Sequence, residues 1–234
     1  MWDNAALLRN IANVLMVFSA LAALYGAAYY TVHLPGLFPL HSVQLGAAPQ
    51  RVDAQEVLVV ARNEVRGNFL TVDIERLRQS LEKLPWVRSV SIRREFPDRL
   101  TVQLEEHRAL ARWNDMNMVN THGEIFSAES EQVLPEFIGQ DGNSFEIAQR
   151  YGEFCRQLAA LNLQVAQLAL TPRHAWRVIL NNGMTLELGR EEMQQRMARF
   201  VAAYPYSLAE RAESVRYVDL RYRNGFALGG LVKS

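Results

Sequence analysis

The residues that could do chemistry are few and scattered. The sequence has five histidines, His33, His41, His107, His122 and His174. No two stand at the three- or four-residue spacing that would put a metal pair on one helical face, and H-E-x-x-H is absent. Glu105 and Glu106 are adjacent carboxylates. On a strand such neighbours point to opposite faces, so they cannot act as a facing acid and base. There is no Walker loop, no strand followed by G-x-G-x-x-G and no G-x-S-x-G elbow. Gly225, Gly229 and Gly230 are too sparse to cradle a phosphate. The single cysteine, Cys155, falls on the apolar stripe of an expected helix, where a thiol is a packing group rather than a nucleophile. These residues imply no catalysis, no metal, no cofactor and no small-molecule substrate. The expectation is a non-enzymatic protein that works through its surfaces.

Composition narrows which surfaces. The 234 residues carry 25 basic and 25 acidic side chains, without the clustered basic excess that nucleic-acid binding needs. Residues 11–30 contain no charge. As a helix, about twenty such residues span roughly 30 Å, the thickness of a bilayer's hydrocarbon core. A cleaved signal would have a more basic start and a shorter apolar run, and a buried core helix would show a polar face. An uncleaved anchor over 11–34 with a cytoplasmic tail 1–10 is the best fit. Trp2 suits one interface, and Tyr25, Tyr29 and Tyr30 suit the other. Arg9 precedes the span and the next basic residue is Arg51, which places the N-terminus in the cytoplasm by the positive-inside rule.

Residues 31–40, with Pro35, Gly36 and Pro39, read as an extended exit linker. A first strand is expected at 42–45. Asp53 opens a helix to about Arg62, with Glu56 three residues on. Asp73 opens a second, whose Ile74, Leu77, Leu81 and Leu84 form an apolar stripe ended by Pro85. Alternation through Val90 and Ile92, and through Leu100, Val102 and Leu104, gives two strands about the turn Phe96-Pro97-Asp98-Arg99. A β-α-α-β-β domain over 40–108 results, with two helices on one face of a small sheet.

A second domain over 109–226 is expected to be an antiparallel sheet with helices, making the whole an α+β protein. Its strands fall at 109–113, 116–120, 125–126 and 165–170. Asn182-Gly183 predicts a two-residue type I′ hairpin between the alternations Trp176, Val178, Leu180 and Met184, Leu186, Leu188. One helix starts at Asn143-Ser144, with Phe145, Ala148, Tyr151, Cys155, Leu158, Ala159 and Leu161 inward. Another runs from 191 to 204 and ends at Pro205. The final strand covers 215–222, leaving 227–234 as a tail. That strand is expected at a sheet edge, where an unpaired backbone offers hydrogen bonds to an incoming strand. Tyr217 and Tyr222 would be its anchors, and Asp219, Arg221 and Arg223 would blunt self-association. Equally open on the residues alone is an ordinary last strand whose tyrosines belong to the core.

Leu84-Pro85-Trp86-Val87, Val90, Ile92-Arg93-Arg94, Phe96-Pro97, Leu100, Val102, Glu105-Glu106 and 109–113 resemble the end of a POTRA domain of the FtsQ/DivIB family of bacterial division proteins. Leu134-Pro135 with Gly139, residues 173–176, Asn182-Gly183, Leu186, Leu188-Gly189-Arg190, Arg199-Phe200, Tyr204-Pro205 and Tyr217-Val218-Asp219-Leu220-Arg221-Tyr222 with Asn224-Gly225 extend the resemblance over nearly the whole chain. It implies a bitopic inner-membrane protein with its bulk in the periplasm, acting as a divisome scaffold at the septum. It also implies partners: the small coiled-coil membrane proteins FtsB and FtsL, and through them the septal peptidoglycan synthases. In that family a partner adds a strand at the terminal edge of the β domain. The matching positions here are Arg173, Tyr217, Val218, Leu220, Arg221, Tyr222 and Gly225. Glycines follow Leu228 where some relatives carry an aromatic. POTRA-like signatures occur also in envelope chaperones and secretion receptors that bind extended polypeptides, which is the alternative reading.

Overall fold

The computed structural model describes residues 5–34, 36–212, 214–223 and 225–230. Two compact units emerge, Met1–Glu106 and His107–Ser234.

In the first unit, α1 (Ala5–His33) is one continuous helix. Its 27 residues Leu7–His33 are long and apolar enough to cross a membrane, and no residue of their apolar window is buried by the rest of the chain. The segment after it is not simply extended. Leu37 N–H bonds Leu34 O (3.1 Å), and Phe38 is left-handed with φ 60°, so the linker turns.

Beyond it stand β1 (Ser42–Leu45), α2 (Ala54–Glu64), α3 (Ile74–Leu81), β2 (Val87–Glu95) and β3 (Arg99–Glu106). The expected Asp caps hold: Asp53 accepts from Gln55 N–H and Asp73 from Arg76 N–H. Strand order is β1-β3-β2. β2 and β3 form an antiparallel hairpin, while β1 runs parallel to β3, a pairing that needs the two-helix crossover between them. Val57 and Ala61 of α2, Leu77 and Leu81 of α3, and Val90, Leu100 and Val102 of the sheet share one apolar core. α3 stops at Leu81 rather than running on to Pro85. Leu84 N–H turns back to Leu81 O, and the Glu82 carboxylate is held by Arg78 and by Val90 N–H.

Among the described residues the second unit holds one nine-stranded sheet. Its strands are β4 (Ala109–Trp113), β5 (Asn117–Asn120), β6 (Ile125–Phe126), β7 (Glu136–Ile138), β8 (Val165–Leu170), β9 (Trp176–Leu180), β10 (Thr185–Gly189), β11 (Tyr217–Asp219) and β12 (Ala227–Gly229). The order is β12-β11-β10-β9-β8-β7-β4-β5-β6. The sheet is mixed rather than antiparallel: β4 with β7, β7 with β8 and β10 with β11 are parallel. Crossover helices make the last two possible, α4 (Ser144–Leu158) between β7 and β8 and α5 (Met193–Ser207) between β10 and β11.

α4 is turned relative to its expected face. Ser144, Ile147, Phe154 and Leu158 are buried, whereas Phe145 is 65% exposed. Ala159 is exposed, and Ala148, Tyr151, Cys155 and Leu161 pack only at the margin. Ser144 Oγ donates to Gly123 O (2.7 Å) and sets that rotation. The β9–β10 hairpin also differs from expectation. Its loop has three residues, because Leu180 N–H bonds Met184 O and Gly183 N–H bonds Leu180 O. Only Gly183 has positive φ, which is a turn with a glycine bulge and not type I′. α5 runs through Pro205 to Ser207; Met197, Phe200 and Tyr204, three and four residues apart, are its buried face.

Glu106, at the end of β3, accepts backbone N–H bonds from Gln50, Arg51 and Val52 at 2.9–3.0 Å. Burial works against the charged carboxylate, but the three bonds outweigh it and hold its pKa below the usual range. Glu106→Ala leaves three donors without that acceptor and is expected to destabilise the first unit by about 1–3 kcal/mol. Urea denaturation of the full chain checks this; an unshifted midpoint would refute the role of Glu106.

Candidate functional site

The residues singled out around the final strand lie at one end of the nine-stranded sheet. β11 is pinned on both sides. Tyr217, Val218 and Asp219 pair with Thr185, Leu186 and Glu187 of β10, and with Gly229, Leu228 and Ala227 of β12. The expectation of an open edge at 215–222 is therefore corrected. Three residues read as tail form a strand that covers β11, and β12 is the edge. Val218 (0% exposed) and Leu220 (2%) fill the core beneath, leaving no side-chain surface for a partner.

Asp219 and Glu187 are register partners, and both are buried. Like charges opposite one another destabilise a sheet, and here each carboxylate has its own arginine. Arg221 grips Asp219 with Nη2–Oδ2 at 2.6 Å and Nε–Oδ1 at 2.8 Å, and its N–H adds a third bond at 3.0 Å. Arg177 of β9 reaches Glu187 at 2.5 Å. Hydrogen bonds from Arg221 hold the Asp219 carboxyl below the usual range against the opposing effect of burial. Burial, with the Asp219 and Glu187 charges, pushes the Tyr217 phenol up. Tyr217 is half-buried with its ring against Gly229, where a Cβ would stand 3.2 Å from the ring.

After Asp219 the chain turns away. Gly189 is left-handed (φ 73°) and lies against the Arg221 stem, 3.2 Å from an added Cβ. Arg199 of α5 donates to Arg223 O, and Arg196 donates to Leu188 O (2.6 Å). Tyr222 is 58% exposed; Gly225 is exposed, with open space around it. Asn224 lies outside the described residues. Arg173 is exposed in the β8–β9 turn. Because Trp176 pairs with Gly189, and Glu187 with Asp219, that turn lies at the sheet end where Arg221 and Tyr222 leave β11. Tyr222, Arg221, Gly225 and Arg173 thus share one end of the sheet.

Sequence reasoning missed β12 and Phe226, which packs on the core. The Asn224-Gly225 dipeptide ahead of Phe226-Ala227-Leu228 was the available signal. Gly230 closes β12 in the left-handed region (φ 68°) with Arg216 Cβ 3.2 Å from an added Cβ, so an aromatic side chain in this conformation would be strained.

Elsewhere, Glu105 and Glu106 turn apart as expected, Glu105 to Arg88 and Ser89 and Glu106 to residues 50–52. Among the described residues no group of three histidine, cysteine or acidic side chains could hold a metal ion. A groove of about 730 Å³ is lined by Leu134, Tyr151, Cys155, Leu163 and Asn181 among others. Burial pushes the thiol of Cys155 up there, away from thiolate chemistry.

Comparison with known proteins accounts for both units. The family described as "Cell division protein FtsQ/DivIB, C-terminal" matches residues 111–221, and "POTRA domain, FtsQ-type" matches residues 38–107. A cell division protein FtsQ of Nitrosospira multiformis is 42% identical over 98% of this chain and 99% of that protein. Its counterpart in Burkholderia pseudomallei is 35% identical over 97% and 94%, and that of Escherichia coli 40% identical over 70% and 62%.

The Asp219–Arg221 grip generates a pH prediction. With its native pKa depressed, Asp219 contributes stability that is present above its unfolded pKa of about 3.9 and is lost as pH falls through the native value. Asp219→Asn is expected to cost about 1–3 kcal/mol at pH 7 and to flatten the stability decline below about pH 4. Thermal melts of both proteins from neutral to acid pH measure this; parallel curves would refute it.

Proposed function

As the chain belongs to the FtsQ/DivIB family of cell division proteins, we propose that it is a non-enzymatic scaffold of the divisome, bitopic in the inner membrane. In this reading α1 spans the bilayer with its N-terminus in the cytoplasm, and both folded units stand in the periplasm at the septum. FtsB, together with FtsL, is the partner, and through it the chain influences the septal peptidoglycan synthases. The observation that carries the proposal is that β12, a short strand beside exposed Tyr222 and Leu228 (40% exposed), has no strand on its outer side among the described residues.

An incoming strand continues the sheet past β12. Each main-chain hydrogen bond contributes only about 1 kcal/mol net, and Ala227–Gly229 provides few of them. Side chains at the sheet end must therefore supply affinity and register. Tyr222 offers an amphipathic ring. Arg173 offers a charge unencumbered by any ion pair among the described residues. Gly225 leaves room for close approach. Arg221, held by Asp219, fixes the exit angle of Tyr222 and acts as a positioning residue. Val218, Leu220 and Tyr217 support β12 from beneath or beside it and do not themselves meet the partner.

Tyr222→Ala is expected to weaken capture of FtsB by about tenfold or more, on the scale of an interface tyrosine, with the melting temperature unchanged. Co-purification of the two proteins from detergent tests it; undiminished binding would refute the site. Depletion of the chain from its cells should produce long undivided filaments, and normal division would count against the scaffold role.

A further inference from the structure

α1 does not hand over to the POTRA domain through a slack tether. Asn68, in the loop between α2 and α3, is 2% exposed. Its side-chain amide donates to Val32 O (2.6 Å) and Leu34 O (3.4 Å), in the stretch where helix carbonyls lack intrahelical donors. The same side chain accepts from Leu70 N–H, Thr71 N–H and Thr71 Oγ1, each at 3.0 Å, so it cannot swing. Phe69 N–H bonds Phe38 O (2.9 Å), and His41 N–H bonds Asp98 O (3.0 Å). Phe69 meets Phe96 edge to face at 6.3 Å, and Arg94 donates to Val72 O (3.0 Å). Residues 36–41, 66–72 and the β2–β3 turn are thereby gathered at the C-terminal end of α1.

What this corner presents outward is apolar. Phe96 is 80% exposed at the hairpin tip, Leu70 44%, and Leu37 and Phe38 43% each. Arg66, Arg93 and Arg99 are exposed around them, and among the described residues none enters an ion pair. The nearby acids are Glu95 and Asp98, the latter paired with His41 at 3.0 Å. Water is a poor solvent for such a cluster. A bilayer interface suits it, since aromatic rings settle at headgroup depth and guanidinium groups pair with phosphate.

We propose that this corner is a membrane foot. Phe96, Leu70, Leu37 and Phe38 enter the leaflet at the C-terminal end of α1, and Arg66, Arg93 and Arg99 bind the phosphates of its anionic phospholipids. The occupant follows from continuity: the apolar corner is hydrogen-bonded to the very end of the apolar helix, so a bilayer holding one meets the other. The inference rests on α1 spanning the membrane. Its consequence is a POTRA domain with a fixed tilt.

The test uses the full chain with Cys155→Ser, reconstituted in vesicles of phosphatidylethanolamine and phosphatidylglycerol. Single nitroxide labels are placed by Phe96→Cys, Leu70→Cys, Val17→Cys and Gln50→Cys. Gln50 is exposed and lies by Glu106, at the end of β3 opposite the hairpin tip. Labels at 70 and 96 are expected to collide with oxygen and be shielded from a water-soluble nickel chelate. The label at 17 should do so more strongly, and the one at 50 should be open to chelate. Chelate access at 70 and 96 equal to that at 50, with 17 in lipid, would overturn the foot and leave the span intact. Chelate access at 17 would overturn both. Spin–spin broadening at 96 would put a second copy on the corner and overturn the lipid assignment. Exchanging phosphatidylglycerol for phosphatidylcholine should raise chelate access at 70 and 96; no change would overturn the role of the arginines.

Discussion

A backbone N–H or C=O taken out of water needs a partner, and leaving one unmet costs as much as a lost hydrogen bond. The parts of this chain answer that demand in different ways. α1 satisfies its amides internally, the only way a single segment can in a bilayer, and its terminal carbonyls pass to Asn68. The POTRA sheet satisfies β3 on both sides, with β1 parallel and β2 antiparallel. In the second unit the ladder runs through nine strands and stops at β12. At the terminal strands, β12 and β6 here and β1 and β2 in the first unit, one side has no strand neighbour among the described residues.

Much of this was legible because alternation is a strong signal where one face is buried. Val218 and Leu220 go inward and Tyr217 and Asp219 do not, as a period of two requires. Edge status is a different matter, since it depends on what pairs with a strand, and β12 is too short to carry a period. α4 shows the same limit. Phe145 and Phe154 are nine residues apart, about half a turn around a helix at roughly 100° per residue, so both cannot face the core. Phe154 wins because Ser144 bonds Gly123 O and fixes the rotation, a long-range contact that no local pattern announces. At Asn182-Gly183 the dipeptide correctly marked a hairpin. Its length was set by Asn182 Oδ1 accepting from Met184 N–H, which stabilises a three-residue loop. Pro205 sits in the last turn of α5 rather than after it. Of the residues singled out near the final strand, Arg173, Tyr222 and Gly225 are exposed, and the open edge was misread where backbone pairing had already been used.

The two faces of the large sheet divide the labour. On the face that packs with α4 and α5 lie Leu168, Val178, Leu186, Val218, Phe154 and Phe200 in one core. Across the other run Gln167 to Glu136 (2.6 Å), Arg177 to Glu187, and Arg221 to Asp219. The first two tie neighbouring strands together by directional bonds, and the third holds Asp219 within its own segment. The pairing also explains how two carboxylates come to be register partners in a nearly closed environment. Remove one guanidinium and its carboxylate remains there with a like charge opposite, so the lattice of pairs behaves as a unit.

Strand order also carries a temporal meaning. From β7 outward the sheet is laid down almost in the order in which the chain is written, ending with β10, β11 and β12. A polypeptide made from its N-terminus supplies β12 only after every strand beneath it has been made. No nascent or truncated chain that stops short of residue 227 can display that strand. In a chain that stops short of residue 227 the edge passes inward to β11, and the backbone of Tyr217–Asp219 takes the rim in place of Ala227–Gly229.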